Sequence, residues 1–322
     1  MAKHLKNIVV IGGGTGTAMV IRTLKKFPLY ITALPAMADD GGSSGILRRE
    51  LGVLPAGDVR QCIIALAENS VSTERLLGHR FTKGTLAGHN VGNIIFAALE
   101  KEGFSFEQAL EYVCTLFHVH GAVHPTTLTP ITLVAHLENE IVEGQSLVHT
   151  KDLTNIQHMS LRPAPRANPK ALAAIREADA IVFAPGDWYS SIVPALLVPS
   201  IRHAIQKSSA RKIHICNLMT TKGHTEGWSV ETFRKKLEEL LQSPIDDTVY
   251  NTRIPKGPSA EPFLGNGRTF VTFDNTKSKL YIPGTLLHSS LVSKRKGDPL
   301  LRNPVRHDEH ALAILLMRTF HI

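Results

Sequence analysis

Cysteine, aromatic residues and long apolar runs are all scarce in this chain, and each scarcity closes off a class of protein. Its three cysteines, Cys62, Cys114 and Cys216, lie far apart among 322 residues, each within an apolar segment. They read as reduced core residues, neither a disulfide framework nor a zinc site. Aromatics make up 6% of the residues, and none interleaves with the basic run Lys294-Arg295-Lys296 or with Arg302 and Arg306. A stacking platform for single-stranded nucleic acid is therefore not indicated. No apolar run reaches the roughly 18 residues that a membrane span requires. Met1 to Lys6 leads directly into an apolar strand without room for a signal peptide, so a cytoplasmic location is expected. Acidic residues are outnumbered, 28 against 36 basic, for a net charge of +8. That excess favours anionic partners, with a phosphorylated small molecule ahead of nucleic acid. Among 16 histidines, His118, His120 and His124, and His307 with His310, have ligand-like spacings, but no acid-rich cluster joins them. They read as surface or core residues.

Glycine is where the chain becomes specific. Gly12-Gly13-Gly14-Thr15-Gly16 and Asp39-Asp40-Gly41-Gly42-Ser43-Ser44-Gly45 each follow an apolar run that reads as a buried strand, Lys6 to Ile11 and Tyr30 to Met37. After the first loop, Ala18, Met19, Ile21 and Leu24 supply the stripe of a helix spanning Thr15 to Phe27. A strand, a glycine turn and a helix start form an anion site, because unpaired N–H groups and the helix dipole both favour negative charge. The G-x-G-x-x-G dinucleotide pattern is incomplete, since Thr17 stands at its third glycine and the second strand, instead of ending in an acid, runs into Asp39-Asp40 and another glycine loop. A phosphate-binding G-x-x-x-x-G-K-[ST] loop is missing as well.

With 43% hydrophobic residues the chain can bury a large core, and one α/β domain over residues 1–322 is expected. Helices are predicted over Val59–Glu68 with Asp58 as N-cap, over a stretch capped by Ser72, over Asn90–Leu99, and over Ser105–Phe117 with Ser105 and Gln108 forming a capping box. This run, residues 58–118, reads as a helical cap. Thr132–Leu137 and Glu140–Glu143 read as a small β hairpin, and Arg162 to Arg166 as a turn. Thereafter helix and strand alternate: Ala171–Ala178, Ala180–Phe183, Pro194–Gln206, Lys212–Asn217 and Ser229–Leu241. Alternation of this kind implies a doubly wound, mostly parallel sheet. Strands near Thr269–Phe273 and Lys279–Ile282 and a helix over Asp308–Thr319 complete the pattern. Two further loops, Ala184 to Ser191 and Asn217 to Gly223, also follow strands, so all four polar loops can meet in one cleft beyond the strand ends.

These segments resemble the 2-phospho-L-lactate transferase (CofD-like) superfamily, and within it the YvcK-like gluconeogenesis factors (UPF0052-type). The resemblance rests on Val9 to Gly16, Ala38 to Gly45, Leu54 to Arg60, Gly88-His89-Asn90-Val91-Gly92-Asn93, Pro185-Gly186 with Ser190-Ser191, and Asn217 to Thr220. It implies a Rossmann-like fold with a nucleotide in the cleft of the four loops. One branch moves a phospholactyl group from a guanosine diphosphate carrier to a deazaflavin precursor with a divalent metal. The other is associated with UDP-sugar binding, gluconeogenic growth and cell shape, and Asp39 to Ser44 followed by Leu47 to Leu51 is closer to it. Asp187-Trp188 and Thr221 to Thr225 depart from the family pattern.

The residues suggest roles. Gly12, Gly13, Gly14, Gly41, Gly42 and Gly186 would admit a diphosphate to the main chain, while Thr15, Ser43, Ser44, Ser190, Ser191 and Thr220 offer hydroxyls. Asn93 and Asn217 are candidate base or sugar contacts, and Arg48 a counter-charge. Asp39 and Asp40 would repel phosphate, so they are read as Mg²⁺ ligands, as acceptors from a sugar hydroxyl, or as an Asx turn opening the loop. No activated nucleophile stands out, which suits both a binding protein and a transferase working by positioning and metal electrostatics. A homo-oligomer is compatible with the chain.

Overall fold

The computed structural model describes residues 5–255, 257, 260–264, 267–273, 278–291 and 304–320. The chain opens with β1 (Lys6–Gly12), α1 (Gly14–Leu24), β2 (Leu29–Pro35) and α2 (Gly42–Leu51). Helices α3 (Gly57–Leu66), α4 (Ser70–Leu77), α5 (Val91–Lys101) and α6 (Phe106–Leu116) precede a two-residue strand, β3 (Ala122–Val123). Next come β4 (Thr132–Leu137), β5 (Ile141–Glu143), α7 (Gln145–Thr150) and β6 (Ile156–Arg162). Alternation resumes with α8 (Pro169–Arg176), β7 (Ala180–Phe183), a π-helical turn at Trp188–Ile192, α9 (Val193–Leu196), α10 (Pro199–Lys207), β8 (Arg211–Ile215), α11 (Val230–Leu241) and β9 (Asp247–Asn251). Strand β10 (Tyr281–Gly284) and helix α12 (Glu309–Phe320) follow.

Seven strands form one sheet in the order β10-β9-β8-β7-β1-β2-β3. Each neighbouring pair in it is parallel. A parallel sheet is buried on both faces, which is why β1 and β7 read as unbroken apolar runs. Successive side chains point to opposite faces. Ile8 and Val10 accordingly join α1, α3 and α12 through Met19, Ile63 and Leu316 in one core. Val9 and Ile11 join α8, α10 and α11 through Ile175, Ile201 and Phe233 in the other. Helices on both faces make the fold doubly wound, as the alternation implied. Chain order runs outward from β1 to β2 and β3 on one side and from β7 to β10 on the other, so the topological switch point lies between β1 and β7. Ligand crevices in open α/β sheets form at such points, beyond the carboxyl ends of the strands.

Several expectations needed correction. The hairpin is part of a separate three-stranded antiparallel sheet, β5-β4-β6, whose last strand alternates too weakly to be read as one. Thr269–Phe273 forms no strand; Phe270 and Thr272 make isolated bridges to Met219 and Ser229. The helix expected over Pro194–Gln206 is broken, because Pro199 cannot continue α9 and starts α10 at its first position instead. Helix α4 is capped by the side chain of Asn69, which accepts from the Ser72 N–H, so Ser72 is the capped residue and not the cap. The Ser105–Gln108 capping box is present as expected. Lys294, Arg295, Lys296 and Arg302 lie outside the described residues. Among the described residues no helix is long and apolar enough to cross a membrane. The cysteines are free, Cys62 and Cys216 buried and Cys114 half-buried.

Candidate functional site

The four polar loops follow β2, β1, β7 and β8, which are adjacent in the sheet. They border one cavity of about 490 Å³. That volume falls in the range of small-molecule sites. Its wall includes Gly13, Gly14, Thr15 and Gly16 from the start of α1, and Gly41, Gly42, Ser43 and Ser44 from the start of α2. Asp39, Asn93, Gly186, Ser190, Ser191 and Asn217 line it too. Gly12, Asp40, Arg48 and Thr220, also singled out in the sequence, are set back from the wall.

Both glycine loops end in helices without a side-chain cap, with Gly13 and Gly41 at the N-cap positions and no acidic residue in the first turn. The leading N–H groups of such a helix have no intrahelical acceptor. The first residues of α1 and α2, Gly14 to Gly16 and Gly42 to Ser44, line the cavity. The missing third glycine is explained as well. Thr17 Oγ1 donates to the Gly13 carbonyl at 3.2 Å, and Gly16 makes the close approach in its place, since a Cβ there would run into the Pro185 carbonyl. Gly45 is required in the same way beneath the Asp40 carbonyl.

Asp58 was expected to cap α3. Ala56 occupies that position, and the carboxylate of Asp58 crosses to α1, where Oδ1 accepts from the Gly14 N–H at 2.8 Å. One amide of the cradle is thus already matched to an oxygen anion, while the Thr15 and Ser191 hydroxyls have no partner among the described residues. Ser43 and Ser44 are tied to the start of α5: Ser43 Oγ accepts from the Asn90 N–H at 3.1 Å, and Ser44 Oγ accepts from Asn93 Nδ2 at 3.0 Å. Asn93 Oδ1 accepts in turn from Arg60 Nε at 3.0 Å, which brings a buried cation to the wall. Asn217 brackets Gly186, accepting from its N–H at 3.1 Å and donating to its carbonyl at 2.8 Å. Thr220 Oγ1 lies 2.7 Å from Thr269 Oγ1, while Arg48 Nη2 donates to Thr132 Oγ1 at 3.4 Å.

Asp39 and Asp40 point to different partners. Asp39 Oδ1 accepts from the Gly41 N–H at 3.0 Å, an Asx turn, and burial pushes its pKa up against the Gly41, Ser44 and Arg60 interactions. Asp40 Oδ1 accepts from the Ser146 N–H at 2.7 Å, anchoring α7 to the loop. The two carboxylates do not converge on one point. Among the described residues, no three His, Cys, Asp or Glu side chains gather where an ion could sit. The pair therefore makes no cation site by itself; Mg²⁺ is commonly held by one or two carboxylates together with substrate phosphates. His307 is buried with its Nε2 3.2 Å from the Cys216 carbonyl, and burial lowers its pKa to about 4, leaving it neutral.

A polar cluster on the same wall escaped the sequence reading. Asp187 Oδ1 accepts from the N–H and Oγ of Ser190 at 2.9 and 2.7 Å, and Oδ2 lies 3.5 Å from His224 Nδ1 and 3.8 Å from His149 Nδ1. Burial opposes ionisation of Asp187, but His224, His149 and Ser190 outweigh it and bring its pKa down to about 2. Burial also works against the charged form of His224, yet Asp187 and the Lys151 carbonyl raise its pKa on balance. The two segments that depart from the family pattern, at Asp187 and at Thr221 to Thr225, thus meet in space through Asp187 and His224. His149 gave no signal of its own in the sequence, because it comes from α7, six residues between two sheet strands.

The model of the family described as 2-phospho-L-lactate transferase CofD matches residues 8–283. The chain belongs to the CofD family. It is 37% identical over 313 residues to a putative gluconeogenesis factor of Thermotoga maritima, covering 97% of this chain and 98% of that one. Against a gluconeogenesis factor of Bacillus subtilis it is 35% identical over 315 residues, 96% of each. A crystal structure of a UPF0052 family member from Bacillus halodurans superposes with a TM-score of 0.85 at 32% identity, over 98% of this chain and all of the other. The relatives thus agree with the resemblance drawn from the motifs, and the crystal structure with the α/β architecture.

Proposed function

We propose that the cavity binds a nucleotide sugar of the UDP type, and that the protein acts as a regulator of carbon metabolism and cell shape that turns over nothing. The reading rests on one observation above the others: two helix starts with glycine at the N-cap, α1 and α2, border one cavity at the switch point of the sheet. Paired helix starts suit a diphosphate, since each phosphate can take N–H groups from its own helix. The names of the relatives, gluconeogenesis factors, favour regulation over transfer. Free thiols suit the reducing cytoplasm, where the proposal places the protein.

Phospholactyl transfer from a guanosine diphosphate carrier to a deazaflavin is the second reading, favoured by the family description. It requires a berth for a flat ring. Among the described residues the cavity wall has no Phe, Tyr or Trp on which such a ring could stack. Calorimetry with UDP-N-acetylglucosamine, UDP-glucose, GDP and GTP, each with and without Mg²⁺, separates the two. Micromolar binding of a UDP-sugar and no binding of GDP is the expected result. A GDP preference together with deazaflavin binding would replace the regulator by the transferase.

A further inference from the structure

We infer that His149 contacts a phosphate of the ligand as an imidazolium positioned by Asp187, so that ligand binding takes up a proton. The inference rests on the nucleotide reading of the cavity and adds how the site tolerates a diphosphate beside a buried carboxylate. Asp187 is only 14% exposed in its side chain, and its loop packs directly on the α1 cradle, where a Cβ on Gly13 would lie 3.5 Å from the Ser191 Cα. An anion at the start of α1 also meets Asp58, whose Oδ1 holds the Gly14 N–H and whose Oδ2 would lie 2.5 Å from a Cβ on Gly13. Like charges at short range disfavour each other strongly where water is excluded. Compensation must come from cations on the same wall.

His149 is placed to supply it. Its Nδ1 faces Asp187 Oδ2 at 3.8 Å and Ser190 Oγ at 3.4 Å, its side chain is 41% exposed, and it lines the cavity. Nε2 has no partner among the described residues. An imidazole that turns one N–H toward a carboxylate presents its other nitrogen as an acceptor when neutral and as a donor when protonated. The arrangement is built rather than incidental. Helix α7 is held at one end by the Asp40 bond to the Ser146 N–H, and Gln145 Nε2 donates to the Ser190 carbonyl at 2.6 Å.

The same wall carries further charged groups, Asp39, Asp58, Arg60, Arg80, Arg268 and Arg306. His224 shares Asp187 from the opposite side, its ring 6.5 Å from that of His149 and its Nε2 2.9 Å from the Lys151 carbonyl. Arg268 lies on the wall within electrostatic reach of Asp187, Asp152 faces His224, and Lys222 faces Asp152. Tyr189 packs on His224, its hydroxyl pKa raised by burial and by Asp187. Lys151 pairs with Glu140 at 2.6 Å, and Leu133, Ala135 and Val142 of β4 and β5 join Val148 of α7 in one apolar cluster. Of the two imidazoles on Asp187, only His149 is half-exposed on the cavity wall; that of His224 is 2% exposed.

The test is calorimetry of the full chain with UDP-glucose, whose diphosphate is esterified at both ends and does not titrate near neutrality. Titrations at about pH 7.5 in buffers of different ionisation enthalpy give the protons exchanged on binding. Uptake of up to about one proton per ligand is expected, with affinity falling by up to about tenfold per pH unit on the alkaline side. His149→Gln keeps a donor but carries no charge. It should abolish the uptake, flatten the pH profile and weaken binding about tenfold at acid pH. Asp187→Asn, which removes the positioning carboxylate, should reduce the uptake. Binding without proton uptake in the unaltered protein overturns the inference whatever the variants do, as does uptake that survives His149→Gln and vanishes in His224→Gln. No binding of any nucleotide overturns the nucleotide reading itself, and the inference with it.

Discussion

At the scale of single residues, the ion pair between Asp187 and His224 makes stability depend on pH in two directions. Asp187 has a folded pKa near 2 against the usual 3.8, so its contribution is complete above 3.8 and disappears as pH falls toward 2. His224 is raised above the usual 6.5, so its share is complete below 6.5 and disappears as pH rises through the folded value. Asp187→Asn should therefore cost on the order of 2 kcal/mol between about pH 4 and 6.5, and progressively less below pH 3. Urea unfolding across that range measures it, and a pH-independent difference would contradict the assignment. Gly16 tests the close approach of α1 to the loop after β7. Alanine in a helix ordinarily stabilises by about 0.5–1 kcal/mol relative to glycine. Here the new Cβ meets the Pro185 carbonyl, so Gly16→Ala should destabilise by about 1–3 kcal/mol in denaturant unfolding. The glycine loops and their hydroxyls were legible in the sequence because glycine and serine carry backbone meaning locally. Asp58, Arg60, His149 and His224 were not, since what each does depends on a partner tens of residues away.

At the scale of elements, α7 is the piece of the small sheet that reaches the cavity, and Asp40 is its anchor. Asparagine can still accept from the Ser146 N–H, whereas alanine cannot. Asp40→Ala should thus lose about 1–2 kcal/mol of stability and weaken nucleotide binding by freeing α7, with Asp40→Asn milder in both. Calorimetry of the two variants, with and without Mg²⁺, checks this. A loss of Mg²⁺ dependence in Asp40→Asn with α7 intact would instead make Asp40 a metal ligand. Helices with strong caps and stripes, such as α5, α6 and α11, were legible to within a few residues. Strand β6 and helix α7 were missed because six or seven residues, nearly all exposed or half-buried, carry almost no periodic signal. The expected strand at Thr269–Phe273 failed for the opposite reason. Its β-branched and aromatic residues have β propensity, but they meet only single bridge partners, and pairing rather than propensity decides a strand.

At the scale of the whole molecule, the order β8-β7-β1-β2 puts four loops, far apart in sequence, side by side. Alternating helix and strand made the parallel sheet predictable, and the rule that ligands sit beyond strand ends located the cleft. How α5 ties into that cleft, through the bonds of Asn90 and Asn93 to Ser43 and Ser44, needed the three-dimensional arrangement. The central claim is that main-chain amides at the starts of α1 and α2 hold a diphosphate. A crystal structure of the protein with UDP-glucose tests it most directly. The account predicts phosphate oxygens within hydrogen-bond distance of the Thr15 and Gly16 amides and of those at Gly42 and Ser43. A nucleotide bound elsewhere on the surface, with those amides facing solvent, would contradict it.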